Sequence, residues 1–531
     1  MHKRLDYAVG CFRNYGGRTF ELPQSSPKNL TAPLRLSYNT RMERVRTRFA
    51  PSPTGYLHIG GMRTALYAYL FAKQQGGDFI LRLEDTDRER LVGDAAQIIY
   101  DSMKEAGLVY DEGPDVGGPC GPYVQSERRD IYKKYADMLI ESGDAYYCFC
   151  TKERLDEMHK SGATKYDKKC LSIPLAEAKA RAAAGEPYVI RQNVPTEGEY
   201  TFHDCVFGDV TVPYADLEDN VLIKSDGLPT YNFANVIDDH LMGITHVIRG
   251  VEYLSSTPKY DLLYRALGWE PPVYIHLQPI MRDAQHKLSK RYGAASYKDF
   301  INKGYLKDAI VNYIALLGWS PKDNTEKFDM AYMLENFSLS GLSRSPSIFD
   351  EAKLRWLNGL YIKELTDDEF YAHALPFMEQ VDYLKGYDLK FLARLLHSRC
   401  ESFADVGPSE CFAGMRTDTD LSVNLTEFLT KFGELTPDLF VHAKNKTDAA
   451  LAREMLPDLI RLTDEKWGGE LYAALEAYAA EKGVKKGAVL WIYRIALTAS
   501  PVTPGGATEM AELLGKERSL ARLRKALEAV S

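Results

Sequence analysis

Between Ala50 and a long helical pattern the chain reads Pro51-Ser52-Pro53-Thr54-Gly55-Tyr56-Leu57-His58-Ile59-Gly60-Gly61, one imidazole set among three glycines. Backbone N–H groups at a glycine-rich strand-to-helix junction, together with the positive end of the helix dipole, attract anions, and phosphate is the natural ligand. An imidazole at that junction can donate a hydrogen bond to a phosphoryl oxygen as charge builds in a transition state. Far along the chain, Lys287-Leu288-Ser289-Lys290-Arg291 sets two lysines three residues apart in a loop. They could reach an α-phosphate and a departing pyrophosphate. Each stretch alone also fits a plainer reading: a tight turn with a solvent-facing histidine, and a solvated basic loop.

The elements that must position these groups are legible around them. A strand from Val45 to Ala50 runs into the loop, and Met62, Ala65, Leu66, Tyr69 and Leu70 then mark one face of a helix. Gly76-Gly77 stops it, and Phe79 to Leu83 follows as a mostly apolar strand ending in Glu84-Asp85-Thr86-Asp87. Strand, helix and strand predict a right-handed parallel βαβ unit. A second half begins after Leu217, with strands at Val221 to Ile223 and Thr245 to Arg249. Its helix runs from Ser256-Thr257-Pro258, a hydroxyl cap with proline in the first turn, to about Leu267. Between the halves, Gln125 to Asn235 reads as an insertion mixing helices with β-rich pieces such as Tyr188 to Arg191 and Val206 to Val212. From about Tyr292 helical patterns take over to the end.

The 531 residues suffice for about three to five domains, and 45% hydrophobic with 26% charged residues is ordinary globular usage. A mean hydropathy of -0.32 and the lack of an uninterrupted apolar run of about 18 residues argue against a membrane-spanning helix. Eight cysteines are too sparse for a disulfide scaffold, and with no secretory signal pattern the default is a reducing cytoplasm. A net charge of -8 argues against a dedicated nucleic-acid binder, yet residues 481–531 carry nine Lys/Arg against five Asp/Glu. Residues 1–41 carry seven Lys/Arg and two Asp/Glu without a sustained hydrophobic period and are expected to be disordered. An extension upstream of a natural start at Met42 is preferred there to an Arg-rich targeting presequence.

In this pairing and order, the His58 stretch and the lysine loop resemble the signatures of class I aminoacyl-tRNA synthetases. Thr47 to Gly55, Arg82-Leu83-Glu84-Asp85-Thr86-Asp87, Pro229 to His240 and Leu513-Leu514-Gly515-Lys516-Glu517-Arg518 are similar to the glutamyl-tRNA synthetases of bacteria. The resemblance runs from about Val45 to the C-terminus. It implies an α/β fold: a split Rossmann-type catalytic domain (42–124 and 236–292) with an α+β acceptor-binding insertion (125–235). All-helical stem-contact (293–365) and anticodon-binding (366–531) domains would follow. The implied activity is ATP- and Mg2+-dependent ligation of L-glutamate to the 3' end of tRNA(Glu) through glutamyl-adenylate, releasing AMP and pyrophosphate, by a cytoplasmic monomer. The alternative is a nondiscriminating form that also charges tRNA(Gln) with glutamate. A non-charging tRNA-binding paralogue is disfavoured because the pocket residues are kept, and a small-molecule nucleotidyltransferase because of the insertion and tail.

Carried over residue by residue, the resemblance places Arg48 on the glutamate side-chain carboxylate, which a planar guanidinium binds bidentately. Ser52, Glu84, Tyr231, Asn235 and Arg249 would line the amino-acid pocket. His58, Gly60 and Gly61 would meet the ATP phosphates, with Glu252 near the ATP and Lys287 and Lys290 in the catalytic loop, Lys290 touching ATP. Gly61 stands where the broader class often has a second histidine. In the tail, Arg399, Lys485, Lys486, Trp491 and Arg494 are expected to contact RNA. An all-helical tail separates this group from the glutaminyl enzymes, whose anticodon domains are β-barrels. Cys148, Cys150 and Cys170, with Tyr166, resemble a zinc-binding insertion of some members, and thiolates suit zinc, which takes four tetrahedral ligands. Ser172 stands where relatives can carry a histidine, so reduced structural cysteines are preferred to zinc.

Overall fold

The computed structural model describes residues 44–87, 93–288, 296–407 and 434–531, apart from 502 and 504. The expectations for residues 1–41 and for Lys290 lie outside the described residues. The chain divides into two compact units, one within 1–287 and 315–348, the other within 288–314 and 349–531.

In the first unit, β1 (Arg46–Phe49) and β2 (Asp78–Leu81) pair in parallel with Arg46 opposite Asp78 and Phe49 opposite Leu81. The helix Ile59–Gln74 connects them, completing the expected βαβ unit. All four residues of β2 are buried, as a parallel strand covered on both faces requires. Met62, Ala65, Leu66 and Leu70 are buried on the helix, while Arg63 and Tyr67 tie it to the returning segment by donating to the Leu317 and Ala315 carbonyls at 2.6 and 2.9 Å.

Further along come β3 (Ala145–Cys148), β4 (Val189–Gln192), the hairpin of β5 (Glu199–Asp204) and β6 (Gly208–Pro213), and β7 (Val221–Ile223). Reading Val221 to Ile223 as a strand of the second nucleotide-type half was incorrect. β7 pairs antiparallel with β4, Ile190 opposite Ile223, in a separate sheet ordered β3-β4-β7. Three apolar residues announce a buried strand but carry no information about its neighbour. The second half is built instead from β8 (His246–Gly250) and β9 (Val273–Leu277), parallel partners, and the hairpin extends their sheet in the order β6-β5-β9-β8. β1 runs beside this group, its Arg46 carbonyl accepting from the Thr245 amide at 3.0 Å. The helices Arg129–Ser142, Tyr231–Leu241 and Thr257–Ala266 pack together through Tyr132, Leu139, Phe233, Ile237, Tyr260 and Leu263, all buried. A two-residue pair, β10 (Ile280–Met281) with β11 (Ser347–Ile348), closes the unit.

Among the described residues from 296 onward β11 is the only strand, and the rest of the regular structure is helical. The second unit buries a continuous apolar core that includes Phe370, Leu392, Leu456, Leu459, Val489, Ile492 and Leu523. Within it the Thr463 and Tyr493 hydroxyls share a buried hydrogen bond of 2.8 Å. Among the described residues no helix is long and apolar enough to cross a membrane.

Candidate active site

A cavity of about 640 Å³ opens at the carboxyl ends of β1, β2 and β8. That is where ligands settle in open parallel sheets. Its lining includes Arg48, Ser52, Gly61, Glu84, Tyr231 and Arg249, six of the residues anticipated from sequence. They arrive from distant positions because parallel strands end together on one edge: Arg48 on β1, Glu84 just past β2, Arg249 on β8, and Tyr231 opening the helix Tyr231–Leu241.

Two guanidiniums dominate the floor. Arg48 is buried, with Nε donating to Asp239 Oδ1 at 3.0 Å and Nη1 reaching the Ile248 carbonyl at 3.4 Å. Arg249, also buried, donates from Nε to His276 Nε2 at 3.0 Å and from Nη2 to Thr257 Oγ1 at 2.8 Å. Its guanidinium carbon lies 4.8 Å from the Tyr260 ring centre and 5.1 Å from that of Tyr274. Below Arg48 an ionic network spreads inward. Arg82 donates to Asp239 at 2.7 Å and to Glu84 at 3.1 Å, while Asp238 accepts from Arg128, Gln125 and Tyr132 at 2.7 to 2.8 Å. Burial would raise the Asp239 pKa, but Arg48 and Arg82 outweigh it and hold the carboxyl below its ordinary range. Glu84 behaves oppositely: burial outweighs Arg82 and Arg48 and lifts its carboxyl to about 7.

The phosphate-type junction is also formed. His58 is the N-cap of the helix Ile59–Gln74, its Nδ1 accepting from the Gly60 amide at 3.1 Å. In the neutral ring this puts the proton on Nε2, leaving that edge a donor. A Cβ at Gly61 would sit 3.2 Å from Leu57 Cδ1, and the glycine leaves that wall of the cavity open. His58, Gly60 and Glu252 are not among the lining residues, though the neighbouring Gly61 and Gly250 are. Asn235 is buried one turn below Tyr231, and its amide donates back to the Tyr231 carbonyl at 2.6 Å. Lys287 is exposed and bridges to Met281 across the turn after β10, away from the cavity lining.

The cysteine group converges. The sulfurs of Cys148, Cys150 and Cys170 lie within 4.8 Å of one another, and the Tyr166 hydroxyl is 3.3 Å from both Cys148 and Cys150. Arg191 donates to the Cys148 sulfur and Arg154 to the Cys150 sulfur, each at 3.4 Å. A tetrahedral zinc with sulfurs at about 2.3 Å needs sulfur pairs about 3.8 Å apart, and Cys150 and Cys170 stand at 3.5 Å. The three sulfurs could hold such an ion, with the Tyr166 hydroxyl beside them and Ser172 in place of a histidine.

In the second unit, Arg399 is exposed and Lys485, also exposed, stands at the position before the helix Lys486–Thr498. Lys486 pairs with Glu476 at 2.9 Å. Trp491 packs on the helical core and meets the His442 ring edge-on at 4.2 Å, and Arg494 is half-buried. Sequence reasoning missed Thr64, Gln125, Lys224 and Tyr253 in the cavity wall, and Asp239 and His276 behind the arginines. The run Asp238-Asp239-His240 after an apolar helical stretch was the available signal for Asp239; nothing local marked His276.

Comparison with known proteins matches residues 44–356 to the catalytic domain of class I tRNA synthetases (E and Q), and residues 369–527 to an anticodon binding domain. A glutamate–tRNA ligase of Clostridium botulinum is 52% identical over 497 residues, 92% of this chain and 99% of that protein. One from Clostridium acetobutylicum is 47% identical over 91% of this chain and 98% of its own length. Among solved structures, a glutamate tRNA ligase of Elizabethkingia meningosepticum in complex with its amino acid superposes with a TM-score of 0.77 at 33% identity. It covers 92% of this chain and all of that one. The glutamate-tRNA synthetase of Elizabethkingia anophelis gives 0.78 at 34% identity with the same coverage. Two arginines at the ends of parallel strands, a histidine-capped glycine junction and likeness along nine-tenths of the sequence agree, and the chain belongs to the glutamyl-tRNA synthetases of class I.

Proposed function

We propose that this protein ligates L-glutamate to the 3' end of tRNA(Glu) in two steps, using ATP as its magnesium complex. The observation that carries the reading is the pair of buried guanidiniums, Arg48 and Arg249, lining one cavity with Glu84. Arg48 takes the side-chain carboxylate; a glutamine amide would set N–H donors against its own. Glu84 offers the anionic partner that the substrate ammonium needs, and Arg249, Ser52, Tyr231 and Asn235 complete the pocket. A carboxylate oxygen of the main-chain end then attacks the α-phosphorus, an O–P bond forms and pyrophosphate leaves. The Nε2–H of His58, the N–H groups around Gly60 and Gly61, Lys287 and Lys290 oppose the developing charge, with Glu252 beside the nucleotide. In the second step a ribose hydroxyl of the tRNA attacks the glutamyl carbonyl carbon and AMP departs. No covalent enzyme intermediate is required.

The insertion, 125–235, would present the acceptor end, with a zinc ion on Cys148, Cys150, Cys170 and Tyr166 cross-linking β3 to the segment that follows it. The convergence of three sulfurs, with the Tyr166 hydroxyl beside them, supports zinc over the reduced cysteines preferred from sequence. Arg399, Lys485, Lys486, Trp491 and Arg494 are assigned to RNA contact, Lys485 and Lys486 foremost because they stand exposed at a helix start. A cytoplasmic monomer completes the reading. The relatives compared are named for glutamate and lend no support to the nondiscriminating form. The test is charging of purified tRNA(Glu) and tRNA(Gln) with radiolabelled glutamate. ATP-dependent charging of tRNA(Glu) is expected, and charging of neither would overturn the proposal.

A further inference from the structure

Arg249 is a long side chain whose guanidinium must be held at one orientation to serve a pocket, and the imidazole that meets it, His276, is not among the residues lining the cavity. His276, fully buried on β9, offers Nε2 to the Arg249 Nε–H at 3.0 Å. An imidazole nitrogen accepts only if it carries no proton, so the ring proton must sit on Nδ1. There it meets Asp204 Oδ2 at 2.7 Å. Asp204, at the end of β5 and also fully buried, is itself pinned. Its Oδ2 accepts from the His276 amide at 3.1 Å, and its Oδ1 accepts from the Val206 and Phe207 amides at 2.9 Å each. The carboxylate thus sees donors on both oxygens, and its Oδ2 accepts the hydrogen bond that Nδ1–H donates. Burial also holds the His276 ring below the ordinary imidazole pKa, so it stays neutral beside the arginine.

We propose that His276, with its tautomer set by Asp204, is a positioning residue that aims Arg249 into the amino-acid cavity and thereby sets the affinity for glutamate. The chain of contacts explains why a hairpin of the insertion is stitched onto the nucleotide-type sheet: Asp204 on β5 stands opposite Tyr274 on β9, two residues before His276. The proposal rests on the reading of Arg249 as a substrate ligand.

The experiment is charging kinetics on His276→Leu, His276→Gln and Asp204→Asn, with glutamate and ATP varied separately and thermal unfolding recorded for each. Leucine removes the acceptor and leaves a buried Arg249 N–H unmatched. The glutamate KM should rise roughly tenfold or more, while the ATP KM moves by less than about twofold. Glutamine can present a carbonyl oxygen where Nε2 stands and should restore most of the affinity. In Asp204→Asn the anion that keeps the proton on Nδ1 is gone, and the glutamate KM should rise although His276 is intact. An unchanged glutamate KM in His276→Leu, an equal rise in the ATP KM, or a His276→Gln variant as impaired as leucine would each overturn the proposal. Arg249→Leu separates the two levels. An unchanged glutamate KM there removes the substrate-ligand reading and the proposal with it. A raised KM there beside a normal His276→Leu removes the proposal alone.

Discussion

Replacing Arg48 by alanine should remove the selectivity for glutamate while leaving the fold intact. The guanidinium is buried at the floor of the cavity, held through Nε by Asp239 at 3.0 Å, so its outer edge is oriented before substrate arrives. Two charge-assisted hydrogen bonds to the side-chain carboxylate, at about 1.5 to 3 kcal/mol each, amount to about 3 to 6 kcal/mol. That corresponds to a loss of roughly 10²- to 10⁴-fold in kcat/KM for glutamate. Asp239 would not be stranded, because Arg82 still donates to it at 2.7 Å, and the loss should therefore appear in kinetics rather than in unfolding. Glutamine, which never matches a guanidinium on both atoms, should lose far less, so the glutamate-to-glutamine preference collapses. Arg48→Lys keeps a charge but not the fork and should recover only part of the rate. The assay is initial-rate charging of tRNA(Glu) with each labelled amino acid. Arg48→Ala activity within about tenfold of the parent, with the preference unchanged, would refute the reasoning.

Glu84 carries a pH signature: its carboxyl is lifted from 4.5 to about 7, so the folded protein holds that proton more tightly than the unfolded chain. Stability should then fall between about pH 4.5 and 7 relative to Glu84→Gln, by up to about 3 kcal/mol in urea titrations. A pH-independent difference would contradict the assignment. Elemental analysis should find about one zinc per chain, lost in Cys150→Ser together with several degrees of thermal stability. Three freely titrating thiols without zinc would restore the reduced-cysteine reading. Lys290→Ala should lower the turnover of adenylate formation, read as tRNA-dependent pyrophosphate exchange, far more than it weakens glutamate binding, and unchanged turnover would remove Lys290 from the mechanism.

The βαβ unit was legible because its signals are local. Alternating and helical apolar periods mark strand and helix, and Gly76-Gly77 marks the stop, and β1, β2 and the helix between them lie where the pattern put them. His58, Gly61 and Arg48 were legible for a different reason, since they sit in short motifs whose spacing matches a known family, and Arg249 was legible only by carrying that family's positions over. Strand partnership was not legible. Val221 to Ile223 has the same apolar character whether it extends the nucleotide-type sheet or pairs with β4, and hydrogen bonds to distant residues decide between them.

Sequence alone therefore determined which reactive groups are available: two guanidiniums and a carboxylate, an imidazole and lysines, and three thiols. Tertiary structure decided how each of these is held. Arg48 is oriented by Asp239, 191 positions away, and Arg249 by His276, 27 positions away, which Asp204 in turn supports from 72 positions away. Asp204 and His276 are ordinary strand residues without a motif of their own, and Asp239 stands on a helix whose sequence does not say which arginine it meets. They matter because the parallel sheet brings its strand ends to one edge, where a buried charge must find a partner or not be buried at all.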